Sequence, residues 1–303
     1  MTNKLNISVF LGGPSAEREV SLRSGAQVAG ALRSLGHNVQ ELDPAKPGWK
    51  LPQPTDVVFL ALHGTYGEDG TVQAELEKLG VAYTGCDANA SRIGFDKNLT
   101  KEKCVAAGVP TARYMMVDSA SARWPMGWNP PVVLKPARQG SSVGLQFVER
   151  VADWGKALTE SLRYDTHVLM EEKIVGRECT VGILGDQPLP IVEVRPKTGI
   201  YDYQTKYHCT TTEYLCPAPF DEATTTRIQN AAIGAFKAIG GRDYSRVDVI
   251  VKADSEPVVL EVNTLPGMTE TSLLPKAAAA AGIAFPQLCQ RMVNLALARK
   301  RRK

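Results

Sequence analysis

The stretch RVDVIVKADSEPVVLEVNTLPGMT, residues 246–269, sets Asp248, Glu261 and Asn263 in a background of Val and Leu. Arg246, Asp248 and Ile250 alternate with Val247, Val249 and Val251, the period-two pattern of a strand with two unlike faces. The polar residues 253–256 and Pro257 read as a turn. Residues 258–263 then form a second strand, with Glu261 and Asn263 on one face. Paired as a hairpin, the two strands bring Asp248 beside Glu261. Two carboxylates and an amide converging in this way suit a hard divalent cation such as Mg2+. The alternative is a hairpin with a solvated polar face.

Outward from the hairpin, the chain alternates strand and helix over residues 5–95. Strands are expected at 7–11, 38–42 and 57–62, and helices at 19–35 and 71–79, each helix followed by Gly36 or Gly80 as a C-terminal stop. This is a doubly wound α/β unit. A helix from residue 96 to Gly108 follows. Strands come next at 113–117, 131–135, 145–148 and 167–174, with a helix at 152–163, giving a separate α+β unit. From Gly176 come two strands, a long polar segment at 196–216, a helix at 222–239, the hairpin and two closing helices. A connection as long as 196–216, holding four Tyr, two Lys and a His, reads as a lid or binding loop.

Composition narrows the function. The 303 residues are 44% hydrophobic and 22% charged, ordinary for a globular protein with two or three domains. A net charge of +3 gives no argument for a nucleic-acid partner, and the basic run at 299–303 reads as a helix C-terminus. The six cysteines show no C-x-x-C pair and read as thiols in a reducing compartment. No apolar run reaches the ~18 residues of a membrane span, and no leader pattern opens the chain. The expectation is a cytoplasmic protein that binds neither nucleic acid nor membrane.

Three further loops carry chemistry. GGPSAEREVS (12–21) joins a strand to a helix, where free N–H groups make an anion site. Glu17 at its mouth either complements the helix dipole or binds a substrate ammonium. HGTYGEDGT (63–71) is another strand-end loop, and His63 reads as lining a site. KPARQGSSVG (135–144) joins a strand-end Lys to a Gly/Ser loop, the ingredients of a phosphate cradle, though not in Walker order. Lys206, on the lid, is placed to reach a nucleotide phosphate on closure.

Taken in order, GGPSAEREVS, HGTYGEDG, GSSVG, R-x-D and EVNTLPGMT resemble the ATP-grasp ligases, and within them the D-alanine–D-alanine ligase family, over about residues 5–297. The resemblance implies a three-domain ATP-grasp fold, α/β and α+β, with an N-terminal doubly wound parallel-sheet domain. Its implied division is 1–95, 96–178 and 179–303, the last with the lid 196–216. It implies ATP-dependent joining of two D-alanine molecules through an acyl phosphate, for peptidoglycan precursors, commonly by a homodimer.

Residue by residue, it implies that Asp248, Glu261 and Asn263 hold two Mg2+ ions, with Mn2+ able to substitute. Lys97 and Lys135 would contact phosphates, Glu171 and Ile174 adenine, and Glu178 the ribose. Glu17 would bind the first D-alanine's ammonium, with Ser141 and Tyr207 closing over it. Arg246 and the Gly267 N–H would stabilise the oxyanion, and Ser272 would grip the second D-alanine's carboxylate. The sequence departs from the family pattern at Gln139, Glu172 and His208. The rival within the fold is a D-alanine–D-lactate ligase, which the Lys206-Tyr207 pair disfavours. The rival of another class is a non-catalytic nucleotide-binding regulator, which predicts broken metal ligands.

Overall fold

Strand β1 (Asn6–Phe10) is buried from Ile7 to Phe10, Ser8 included, as a strand covered on both faces is. It pairs in parallel with β2 (Asn38–Leu42) and β3 (Val57–Leu60), and β3 with β4 (Ala82–Tyr83), giving the order β2-β1-β3-β4. The structure, a computed structural model, describes residues 4–195 and 212–300. Helix α1 (Arg18–Ser34) buries Val20, Val28, Ala29 and Leu32. At Gly25 a Cβ would lie 2.3 Å from that of Leu11, so glycine sets how closely α1 approaches the sheet. Helix α2 (Thr71–Lys78) follows β3. The strand expected over 57–62 ends at Leu60, where the chain leaves the ladder for the His63 loop.

Asp87 and Asp96 cap α3 (Ala88–Phe95) and α4 (Lys97–Ala106), each accepting N–H bonds from the first turn. A second sheet, antiparallel throughout, runs β5-β8-β6-β7 from β5 (Tyr114–Val117), β6 (Val132–Pro136), β7 (Gln146–Val148) and β8 (Val168–Glu172). The helix expected over 152–163 is shorter: a 3-10 turn (Val151–Asp153) leads into α5 (Trp154–Ser161).

The third sheet comprises β9 (Arg177–Leu184), β10 (Gln187–Pro188), β11 (Val192–Arg195), β12 (Glu213–Leu215), β13 (Tyr244–Val251) and β14 (Pro257–Asn263). Its main path is β12-β11-β9-β13-β14. Helix α6 (Glu222–Ala238), with α3 and α4, forms one core against β9, β13 and β14. Helices α7 (Leu273–Ala280) and α8 (Phe285–Lys300) return to the first sheet, where Leu288, Met292 and Val293 share a core with Ile7, Val28 and Leu32. The carboxyl ends of the first sheet therefore face the hairpin of the third. Lys206, Tyr207, His208 and most of the expected lid lie outside the described residues. Among the described residues, no helix is long and apolar enough to cross a membrane.

Candidate active site

The hairpin pairs as its alternation requires. Asp248 lies opposite Glu261 and Arg246 opposite Asn263, with a register shift between Asp248 and Val249. Val249 pairs with Val259, so Leu260 is the extra residue of a bulge. The bulge leaves both Leu260 and Glu261 half-buried at the cleft.

Asp248 is held on all sides. Arg246 donates Nε to Oδ1 and Nη2 to Oδ2, both at 2.8 Å, a bidentate fork. Thr180, paired with Asp248 across β9 and β13, donates to Oδ1 at 2.7 Å. The Asn263 amide donates to Asp248 Oδ2 at 3.2 Å and to Glu261 Oε1 at 3.3 Å. Two carboxylates and an amide thus meet at one point. Among the described residues no group of three or more His, Cys, Asp or Glu is placed to hold a metal ion by itself. Two carboxylates with an amide leave coordination to waters and phosphates, the pattern of Mg2+ or Mn2+ rather than a soft metal.

Two cavities meet at this point, sharing Glu178, Asp248 and Glu261. The larger, about 470 Å3, runs between the second and third sheets, a volume suited to a small-molecule ligand. Apolar side chains, among them Phe147, Ile174, Ile250 and Leu260, line part of it, and Lys97, Lys135 and Glu171 another. Glu171 is almost fully buried between Lys101 and Lys135. Burial disfavours its charge, yet the two ammonium groups hold its carboxyl below the ordinary range. Burial likewise opposes the charge on Lys135, but Glu171 raises its pKa. Burial lowers the pKa of Lys97, against the pull of Glu261. Lys97 donates to the carbonyl of Gln139, at the base of the Gly/Ser loop.

The smaller cavity, about 80 Å3, lies between the first and third sheets. Glu17 accepts a hydrogen bond from Ser141 Oγ. Ser141, Ser142 and Gly144 all have positive φ, at 53°, 60° and 71°, a left-handed conformation costly for serine that gathers at functional sites. Opposite, Ser272 Oγ accepts from the Thr269 N–H at 2.9 Å. A Cβ on Gly267 would lie 2.8 Å from that oxygen, so a side chain there would displace the Ser272 hydroxyl. Ser24 on α1 accepts from the Met268 N–H at 3.2 Å and lies 3.2 Å from His63 Nε2, which ties the Gly267 turn to the first domain. His63 lines the cavity with Glu68, whose pKa burial raises despite the imidazole beside it.

Of the fifteen expected site residues, Lys206 and Tyr207 lie outside the described residues; the other thirteen line one cavity or the other. Sequence reasoning missed Thr180, Glu68 and Lys101. Glu68 had a signal in its place within the 63–71 loop, and Lys101 in its four-residue spacing from Lys97.

Comparison with known proteins decides the family. The profile described as "D-ala D-ala ligase C-terminus" matches residues 104–294, and "D-ala D-ala ligase N-terminus" matches residues 40–86. The D-alanine–D-alanine ligase of Methylacidiphilum infernorum is 42% identical over 294 residues, covering 97% of this chain and 96% of that one. This chain belongs to the D-alanine–D-alanine ligase family. The ligase of Herminiimonas arsenicoxydans is 44% identical over 300 residues, covering 93% of this chain and 89% of its own. The crystal structure of the Bacillus anthracis ligase superposes with a TM-score of 0.87 at 32% identity, covering 98% of this chain and 99% of that one. The same enzyme complexed with ATP gives 0.85 at 30% identity, with the same coverage. The expected three-domain ATP-grasp architecture of a D-alanine–D-alanine ligase is therefore the fold.

Proposed function

We infer that this protein is an ATP-dependent ligase that joins two D-alanine molecules to D-alanyl-D-alanine for peptidoglycan precursors, releasing ADP and phosphate. One observation carries the assignment of the site: the two cavities share Glu178, Asp248 and Glu261. A nucleotide in the larger cavity would present its terminal phosphate to an amino acid in the smaller.

We propose the following roles. The apolar wall with Ile174 holds adenine, Glu178 the ribose, and Lys97 and Lys135 the phosphates. The Glu171 carboxylate sets Lys135 in place, and Glu171 with Ile174 forms the hinge that meets adenine. Asp248, Glu261 and Asn263 would hold Mg2+ or Mn2+, which would offset charge built up on the phosphates during transfer. Glu17, held by Ser141, binds the first D-alanine's ammonium. That substrate's carboxylate oxygen attacks the γ-phosphorus, and the bond to the β-phosphate oxygen breaks to release ADP. The second D-alanine, its carboxylate on Ser272, attacks the acyl carbon with its amine. Arg246 and the Gly267 N–H stabilise the oxyanion, and phosphate leaves with the C–O electron pair as the amine loses its proton. Water kept out of the cleft spares the acyl phosphate.

Domain 1–95 supplies Glu17, 96–178 the phosphate loop and hinge, and 179–303 the metal site and oxyanion turn. A cytoplasmic homodimer is part of the same proposal, as are closing roles for Lys206 and Tyr207. The test is incubation with ATP, Mg2+ and D-alanine, reading phosphate and dipeptide together. Equimolar phosphate and D-alanyl-D-alanine are expected. No phosphate would point to a nucleotide-binding regulator, and preferential ester formation with D-lactate to a depsipeptide ligase.

A further inference from the structure

Lys101 is a charged side chain that the chemistry above leaves without a task. It stands four residues beyond Lys97 on α4, on the same helical face. Its side chain is 1% exposed. A lysine buried so completely needs partners, and it has three. Its Nζ donates to Thr111 Oγ1 at 2.6 Å and to the Ala112 carbonyl at 3.3 Å, and pairs with Glu171 Oε1 at 2.5 Å. The other carboxylate oxygen, Glu171 Oε2, pairs with Lys135. Glu171 and Lys135 line the nucleotide cavity. The contacts of Lys101 extend to the metal strand as well. Thr111 Oγ1 donates to the carbonyl of Val259 at 2.9 Å, and the Val259 N–H donates to the Pro110 carbonyl at 2.8 Å. Val259 precedes Glu261 by two residues in β14.

We propose that Lys101 is a positioning residue for ATP: by sharing the carboxylate of Glu171, it leaves the charge of Lys135 directed at the nucleotide. Two lysines and one glutamate carry a formal charge of +1 beside the cleft. Without Lys101 the remaining pair is neutral, and Glu171 holds Lys135 undivided in a low-dielectric setting. The anchor from Thr111 to Val259 keeps this triad in register with the strand that carries Glu261. The inference rests on the reading of Lys135 as a phosphate-binding lysine.

The test is Lys101→Met, which keeps the length and removes the charge while leaving Glu171 paired with Lys135. The KM for ATP should rise about 10- to 100-fold, the worth of one contact to a charged group, with the KM for D-alanine within about twofold. A merely structural role would move both constants or neither. The double variant Lys101→Met/Glu171→Gln releases Lys135 from its carboxylate, and should regain at least about tenfold in ATP affinity over Lys101→Met, the value of one such contact. Equal shifts in both KM values, or a double variant no better than the single, would overturn the proposal. If Lys101→Met does not fold, the double variant, in which a neutral pair replaces the buried charges, is compared directly with Glu171→Gln. Equal ATP affinities in the two support the proposal, since without the carboxylate Lys101 has nothing to share, and a lower affinity in the double variant refutes it. Lys135→Ala separates the two readings. An unchanged ATP KM there would sink the phosphate role of Lys135 itself. A weakened one, beside an unaffected Lys101→Met, would sink only the role of Lys101.

Discussion

Replacing Arg246 with alanine should slow turnover without unfolding the enzyme or weakening ATP binding. Arg246 is largely buried and spends two N–H groups on Asp248, both at 2.8 Å. Truncation leaves Asp248 bonded to Thr180 at 2.7 Å and to Asn263 at 3.2 Å. The carboxylate therefore loses its strongest partner without being stranded. That loss is worth about 1.5–3 kcal/mol, well inside the roughly 5–15 kcal/mol by which folded domains are stable. The catalytic loss is larger. One oxyanion donor is worth about 3–4 kcal/mol, which corresponds to roughly a hundred- to a thousandfold in kcat. Arg246→Lys, which keeps the charge but loses the fork, should fall between. The assay is phosphate release with each substrate varied in turn, alongside a thermal melt. A kcat down by two to three decades, with KM for ATP within a few-fold, is expected. A defect confined to KM would refute the oxyanion role.

Glu261→Gln should cut turnover by at least about 100-fold, since the metal it would hold is worth several kcal/mol of charge stabilisation, while the melting temperature stays close to that of the parent. An unchanged rate would remove Glu261 from the metal site. Burial pushes the Cys86, Cys179 and Cys289 thiols up to about 12 and Cys104 to about 11. At pH 8 these thiols are protonated, so peptide mapping after brief iodoacetamide treatment should find them unmodified in the native protein and modified after unfolding. The Arg18 guanidinium, with N–H bonds from Gly13 and Ala45, holds the Asp43 carboxyl down at about 2. A depressed carboxyl stabilises the fold above its unfolded pKa and loses that contribution as pH falls through the folded one. The stability gap between parent and Asp43→Asn, measured by urea unfolding, should therefore narrow below about pH 4. A gap that stays constant down to pH 3 would contradict this.

The hairpin was legible because its signal is local. Alternation over Arg246–Val251 fixes which side chains share a face, and a short turn fixes the partner strand. The bulge at Leu260 was not legible, because a one-residue slip shows only once the register with β13 is known. Thr180 escaped for a similar reason: it meets Asp248 through the β9–β13 pairing, which joins segments far apart in the chain. Glu171 was placed at a nucleotide hinge by resemblance, and β8 does put it at the cleft. That its carboxylate lies between Lys101 and Lys135 follows from three elements packing together, which no sequence window contains. The α5 boundary moved inward because residues 151–153 form a tighter turn, a difference of hydrogen-bond spacing that composition does not encode.

The most direct measurement is a crystal structure of the protein with Mg2+ and a non-hydrolysable ATP analogue. The account predicts the base against Ile174 and Leu260, the phosphates beside Lys97 and Lys135, and electron density for a cation among Asp248, Glu261 and Asn263. A triphosphate lodged outside this cleft, or those three side chains turned away from it, would contradict the account.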